Sequence, residues 1–252
     1  MRSTSGFSLL TSYFSVLLSA VRSVFTYLIV SLYVLIAGPI ALGLGIPFRS
    51  KVILYELGHL GVGLALGLAG IRHRVSGKAH IPSGRAVVFC SNHESNVDPP
   101  VLFQVLHRRL HVLFKAELRQ LPILGRVMEA GGFVAVERDR REASMASIER
   151  AAASIREGNS FLIFPEGTRS RTAEMLPFKK GGFIMAIQAQ APIVPVAVSG
   201  GHAAMQKGSW FVRPALVRVR IGAPVETRGM QVEDRDRLIA TVRSRIEELL
   251  TQ

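Results

Sequence analysis

The chain has a single cysteine, Cys90, among its 252 residues. No disulfide forms within it, so a disulfide-stapled secreted scaffold is excluded and a reducing compartment is expected. Charge is also scarce. Asp, Glu, Lys and Arg make up 19% of the chain, below the usual ~25%. Acidic residues are rarer than basic ones, 18 against 31, giving a net charge of +13. A disordered acidic tail and a coiled coil are both excluded by this balance, since 48% of the chain is hydrophobic. One Trp, four Tyr and no aromatic stacking motif argue against a nucleic-acid binder, which the charge alone suggests. The seven histidines fall into no spaced cluster with Cys, Asp or Glu, so no metal site is expected. His107-Arg108-Arg109 with His111 reads as a solvated or lipid-facing basic patch. High basicity with abundant apolar surface points to an anionic partner: membrane lipid or a phosphorylated substrate.

Residues 23–48 carry no charge at all, a run of 26. As helix that run reaches roughly 39 Å, enough to cross a hydrocarbon core of ~30 Å. Pro39, after Gly38, predicts a break or kink in it. A second uncharged stretch, 57–71, reaches only roughly 22 Å. Basic residues flank both: Arg22 before, Arg49 and Lys51 between, Arg72 and Arg74 after. The positive-inside rule puts all three on the cytoplasmic side. A shallow helical pair dipping into one leaflet satisfies them together; a single span or a two-span hairpin is the rival arrangement. Phe7, Leu10, Phe14, Leu17 and Val21 recur at helical spacing, as in an interfacial helix. The organisation expected is membrane-binding helices over 1–71 and an α/β domain over 72–252, at the cytoplasmic face of a cell inner membrane.

From residue 72 short apolar runs alternate with helical stretches. Strands are expected at 86–90, 111–114, 133–136, 161–164, 193–198 and 215–222, the last an edge or half-exposed strand because it alternates with Arg218 and Arg220. Helices are expected at 99–108, 141–157, 181–190 and 234–250. Repeated β then α implies an α/β fold with a mixed, largely parallel sheet flanked by helices.

Chemistry in such sheets gathers where strands end. After the strand at 86–90 come Asn92, His93 and, five residues on, Asp98 before Pro99. On a continuous helix that spacing turns about 140°, so the two side chains meet only if a turn separates them. Pro99 suits a first helical residue, which makes Asp98 the expected N-cap and frees the loop to fold His93 back toward it. A carboxylate on one imidazole nitrogen supports the other as a base. Phe164-Pro165-Glu166-Gly167-Thr168-Arg169-Ser170 follows another strand. Gly167 permits a tight backbone, and Arg169 offers a planar fork suited to phosphate. Lys179-Lys180 precede a helix start, Lys115 ends the strand at 111–114, and Arg138 follows the strand at 133–136. Several strand ends thus carry a His–Asp pair or cations that could converge on one anionic substrate. Trp210 and Phe211 read as interfacial anchors or as core residues.

The blocks at 92–98, 132–138, 164–170 and Val194-Pro195-Val196 resemble the four ordered motifs of the glycerolipid acyltransferases. The chain is most similar there to the bacterial 1-acyl-sn-glycerol-3-phosphate acyltransferases. The resemblance implies transfer of a fatty acyl chain from acyl-CoA or acyl carrier protein to the sn-2 hydroxyl of a lysophospholipid, as in phospholipid biosynthesis, with no cofactor. It implies catalysis by His93 with Asp98 and acceptor binding through Arg138. Substrate binding through Glu166, Gly167, Thr168 and Arg169 is also implied, as is a looser role for Lys115. Ala135 and Glu137 depart from the second motif, which bears on acceptor choice. The alternatives are a different lysolipid acceptor, such as a lyso-ornithine lipid, and a non-catalytic anionic-lipid-binding protein. A covalent route through Cys90, Ser91 or Ser95 ranks below direct transfer, because Cys90 closes an apolar strand.

Overall fold

A computed structural model describes residues 4–48, 50–137, 141–172 and 174–252. Among these lie strands β1 (Ile71–Ser76), β2 (Val88–Ser91), β3 (Leu110–Lys115), β4 (Val134–Val136), β5 (Ser160–Ile163), β6 (Ile193–Ser199) and β7 (Ala215–Ile221). They form one sheet in the order β1-β7-β6-β2-β5-β3-β4. Every pairing is parallel except β6 with β7. β2 and β5 are buried throughout, which is why their sequences are unbroken apolar runs rather than alternating ones. The mixed, largely parallel α/β sheet expected from the sequence is the one observed.

Helices α1 (Thr4–Gly45) and α2 (Lys51–Ala69) precede the sheet. α3 (Asp98–Val105) and α2 cover one face, closing a core around Phe89, Leu102, Leu162 and Val194. α5 (Arg141–Arg156), α6 (Gly181–Ala189) and α8 (Arg235–Thr251) cover the other, around Val88, Phe161, Phe183 and Val242. Two short helices, α4 (Leu124–Ala130) and α7 (Gly201–Ala204), lie after β3 and β6.

Three sequence expectations need correction. β1 was not anticipated, because Arg72, His73 and Arg74 hide a strand that packs mainly through Ile71 and Val75. Its presence makes β7 the second strand from the edge, half-exposed as its alternation implied. α1 runs through Pro39 without a break and turns only at residues 46–48. Pro39 faces outward there, while Ala37 and Ala41 are buried and Gly38 lies against Ile123 of the α4 segment. Finally, His111 is not lipid-facing: it is 1% exposed on β3, and burial pushes its pKa down to about 4, so it is neutral.

α1 inverts the usual amphipathic pattern. Its buried residues are small: Ser23, Thr26, Ala37 and Ala41. Its exposed residues are large and apolar, among them Leu17, Phe25, Leu28, Leu32, Leu35 and Ile40. In water the large side chains belong inside. The second half of the helix lies along the folded domain: Ser23, at its middle, bonds Val212, and Gly38, near its C-terminal end, packs on Ile123. α1 and α2 are each long and apolar enough to cross a membrane.

Candidate active site

The loop after β2 is fixed before any side chain reaches solvent. Asn92 makes a two-way bond with β6: its Nδ2 donates to the Val198 carbonyl (2.9 Å) and its Oδ1 accepts from the Val198 amide (2.8 Å). This ties the end of β2 to its neighbour and launches His93 over the rim. The His93 amide donates to Glu166 Oε1 (2.8 Å), and its carbonyl accepts from the Ser170 amide (2.9 Å). The imidazole stacks on Phe164, with ring centroids 4.2 Å apart.

His93 Nδ1 stands 3.0 Å from Asp98 Oδ2, and the same oxygen accepts the amides of Glu94 and Ser95, each at 2.7 Å. Asp98 is therefore not the N-cap expected from Pro99. It is itself the first residue of α3, and its carboxylate turns back into the preceding loop instead of capping the helix. With two amides already donating, an Asp98 carboxylate accepts the Nδ1 proton, which leaves the Nε2 lone pair to act as base. Asp98 is fully buried, while the His93 side chain is 15% exposed. Among the described residues Asp98 Oδ1 has no hydrogen-bond partner, and a side chain at Gly201 would collide with it.

The loop after β5 supplies the second half. Glu166 is buried, and both its oxygens serve the backbone: Oε1 takes the His93 amide and Oε2 the Leu176 amide (2.9 Å). Its geometry is that of a bracket holding the histidine loop. Gly167 has φ +70°, a left-handed conformation that favours glycine, and the Lys179 side chain packs against it. Thr168 and Arg169 follow, and Arg169 Nη1 is buried with no partner among the described residues. Cys90 is fully buried in β2 and its thiol is pushed up by burial, so it offers no thiolate.

His93, Thr168, Arg169 and Lys179 line one part of a cavity of about 890 Å³. The rest is apolar, walled by Leu54 and Tyr55 of α2, Phe103 of α3, Val127 and Met128 of α4, and Phe133. Lys115 reaches the same cavity, though its ammonium is 2.7 Å from Glu117. His93, Gly167, Thr168, Arg169 and Lys115 are thus gathered around one hollow, Asp98 and Glu166 are buried behind His93 and hold it, and Arg138 lies outside the described residues. Sequence reasoning missed Phe164 as the stacking partner of the imidazole. It also missed Glu94, whose carboxyl is pushed up to about 7, by burial first and then by Asp98, against the opposing pull of the Gly200, Gly201 and His202 amides. An acid next to His93 and four residues before a helix start was the available signal. Among the described residues, no group of three or more His, Cys, Asp or Glu forms a metal site.

The family described as Acyltransferase matches residues 72–199. A 1-acyl-sn-glycerol-3-phosphate acyltransferase of Limnanthes douglasii is 33% identical over 180 residues, 71% of this chain and 63% of that protein. The human 1-acyl-sn-glycerol-3-phosphate acyltransferase beta is 34% identical over 173 residues, 68% of this chain and 62% of that one. The chain thus spans about three fifths of the length of these relatives. The crystal structure of the 1-acyl-sn-glycerophosphate (LPA) acyltransferase PlsC from Thermotoga maritima superposes with a TM-score of 0.80. At 23% identity that likeness, covering 94% of this chain and 98% of the other, speaks to the fold alone.

Proposed function

The chain belongs to the acyltransferase family, and from that premise we propose that it acylates the sn-2 hydroxyl of 1-acylglycerol-3-phosphate to give phosphatidic acid. The observation that carries the reading is the His93–Asp98 pair opening into a cavity with Arg169 beside it and an apolar interior behind it.

In this reading the acceptor hydroxyl lies at His93 Nε2. His93 takes its proton as the oxygen attacks the thioester carbonyl, and Asp98 holds the imidazolium that forms. The tetrahedral intermediate collapses, the carbon–sulfur bond breaks, and His93 returns the proton to the leaving thiolate. No covalent acyl-enzyme is required. Arg169, with a buried nitrogen unpartnered among the described residues, binds the acceptor phosphate. The apolar part of the cavity takes an acyl chain; its volume falls in the ~300–1,000 Å³ typical of ligand pockets. Glu166 acts through His93 rather than on substrate. The donor is an acyl thioester of coenzyme A or of acyl carrier protein.

The α1–α2 pair serves as the membrane anchor. A helix that exposes its large apolar side chains and lies along the domain from Ser23 to Ala41 fits one lying in a single leaflet. Both substrates then reach the rim of the sheet from the cytoplasmic face of the membrane.

The test is transfer of radiolabelled acyl groups from acyl-CoA and from acyl carrier protein to a panel of lysolipids by detergent-extracted protein. Transfer to 1-acylglycerol-3-phosphate in preference to uncharged or zwitterionic lysolipids is expected. Transfer only to a lyso-ornithine lipid overturns the acceptor, and vesicle binding without transfer overturns the enzyme.

A further inference from the structure

The connection between β6 and β7 touches both the membrane helix and the substrate loop. On one side, the Val212 amide donates to Ser23 Oγ of α1 (2.8 Å), and Tyr27 Oη donates to the Trp210 carbonyl (2.7 Å). Ser23 is fully buried by this contact. On the other side, Lys207 Nζ donates to Thr168 Oγ1 (3.1 Å) and to the Arg169 carbonyl (2.8 Å). The Arg213 amide closes the connection onto the Ala204 carbonyl (2.9 Å).

We propose that Lys207 is a positioning residue for the acceptor site, fixing the Thr168–Arg169 backbone from a strap docked on α1. The proposal rests on the acyltransferase reading above and deepens it. Arg169 is useful only if its guanidinium is aimed, and it follows Thr168, the exposed residue of this loop. Glu166 anchors this loop at its start through the His93 and Leu176 amides. Lys207 anchors it at the two residues that face the acceptor. A lysine stem has much rotamer freedom to lose, so holding two acceptors at once defines one arrangement. The ammonium also sets a second positive charge beside Arg169.

The strap explains the placing of Trp210 and Phe211. Their rings stack with centroids 4.2 Å apart and Trp210 is 49% exposed, next to the exposed apolar side of α1. An interfacial aromatic pair therefore sits three residues from the lysine that holds the substrate loop.

The experiment uses the full chain in detergent micelles, with Lys207→Ala, Lys207→Arg and Tyr27→Phe. Initial rates are measured against 1-acylglycerol-3-phosphate and, separately, against acyl-CoA. Lys207→Ala is expected to raise the acceptor KM about tenfold to a hundredfold, the loss typical of charge-assisted hydrogen bonds. Its kcat and its acyl-CoA KM are expected to stay within about threefold of the parent, and Lys207→Arg is expected to recover most of the loss. Tyr27→Phe, which releases the Trp210 carbonyl, is expected to raise the same acceptor KM by a smaller factor.

An unchanged acceptor KM in Lys207→Ala overturns the proposal. So does an equal fall in every parameter that Lys207→Arg does not relieve, because that is loss of fold rather than of aim. An unchanged KM in Tyr27→Phe overturns the docking on α1. A parent protein that transfers no acyl group to any acceptor defeats the enzyme reading itself, a result separate from all of these.

Discussion

Nδ1 of His93 and Oδ2 of Asp98 meet at 3.0 Å because α3 begins at Asp98 and the intervening residues turn back over it. That one oxygen also gathers the amides of Glu94 and Ser95. The carboxylate therefore shapes the loop and orients the base at the same time. Loss of the carboxylate then disturbs both.

His93→Ala is expected to lower kcat on the order of 10²–10⁴-fold, the usual contribution of a positioned base. Asp98→Asn is expected to cost on the order of 10²-fold or more, because the amide no longer specifies the Nδ1–H tautomer. Thermal melts of both variants alongside the rates separate lost chemistry from lost fold. His93→Ala with near-parental turnover would falsify the mechanism.

Glu166→Gln is expected to reduce both stability and kcat. Both carboxylate oxygens of Glu166 accept backbone amides, and a glutamine offers one acceptor and places an NH₂ against the other donor. The mismatch is expected to cost about 1–3 kcal/mol. Acceptor KM should move little, since Glu166 is buried behind the site. A large KM increase with an unchanged melting temperature would assign it to substrate contact instead.

Glu94 makes stability depend on pH in an unusual direction. Its folded pKa is raised from 4.5 to about 7, so between those values the folded chain keeps a proton that the unfolded chain has lost. Stability from this group is present at low pH and falls as pH rises through that window. Glu94→Gln is expected to flatten the loss, gaining about 1–2 kcal/mol over the parent at pH 8 relative to pH 5, after discounting for partial exposure. Denaturant midpoints of both proteins at the two pH values check it, and parallel pH profiles count against it.

Leu32→Glu with Leu35→Glu places charge on the outer side of α1, where both leucines are more than half exposed. Binding to anionic vesicles is expected to fall at least tenfold, while activity on detergent-dispersed substrate persists. Flotation assays measure the first and acyl transfer the second. Undiminished flotation would place the bilayer against some other surface.

The strands of the middle of the sheet were legible because burial on both faces leaves an unbroken apolar run, as in Phe161-Leu162-Ile163. β1 was not, since three of its six residues are charged or imidazole and its pairing with β7 comes from a segment about 140 residues away. The His–Asp pair was legible as a spacing, but Asp98 as a cap was a misreading. Pro99 signals a helix start without saying whether the preceding carboxylate points along the helix or away from it. Lys207 was illegible: a lone lysine after Gln206 carries no pattern, and its partners lie 38 and 39 residues earlier.

Composition and the period along the chain were enough to settle the α/β class, the uncharged front segment and the kinds of group available at the strand ends. The folded arrangement was needed to establish that Glu166 faces backbone rather than solvent, that α1 turns its small residues inward, and that a strap from β6–β7 reaches the loop at Thr168 and Arg169. Each of these depends on which distant segments are brought together by parallel crossovers and on where water is excluded. Local pattern carries no information about either.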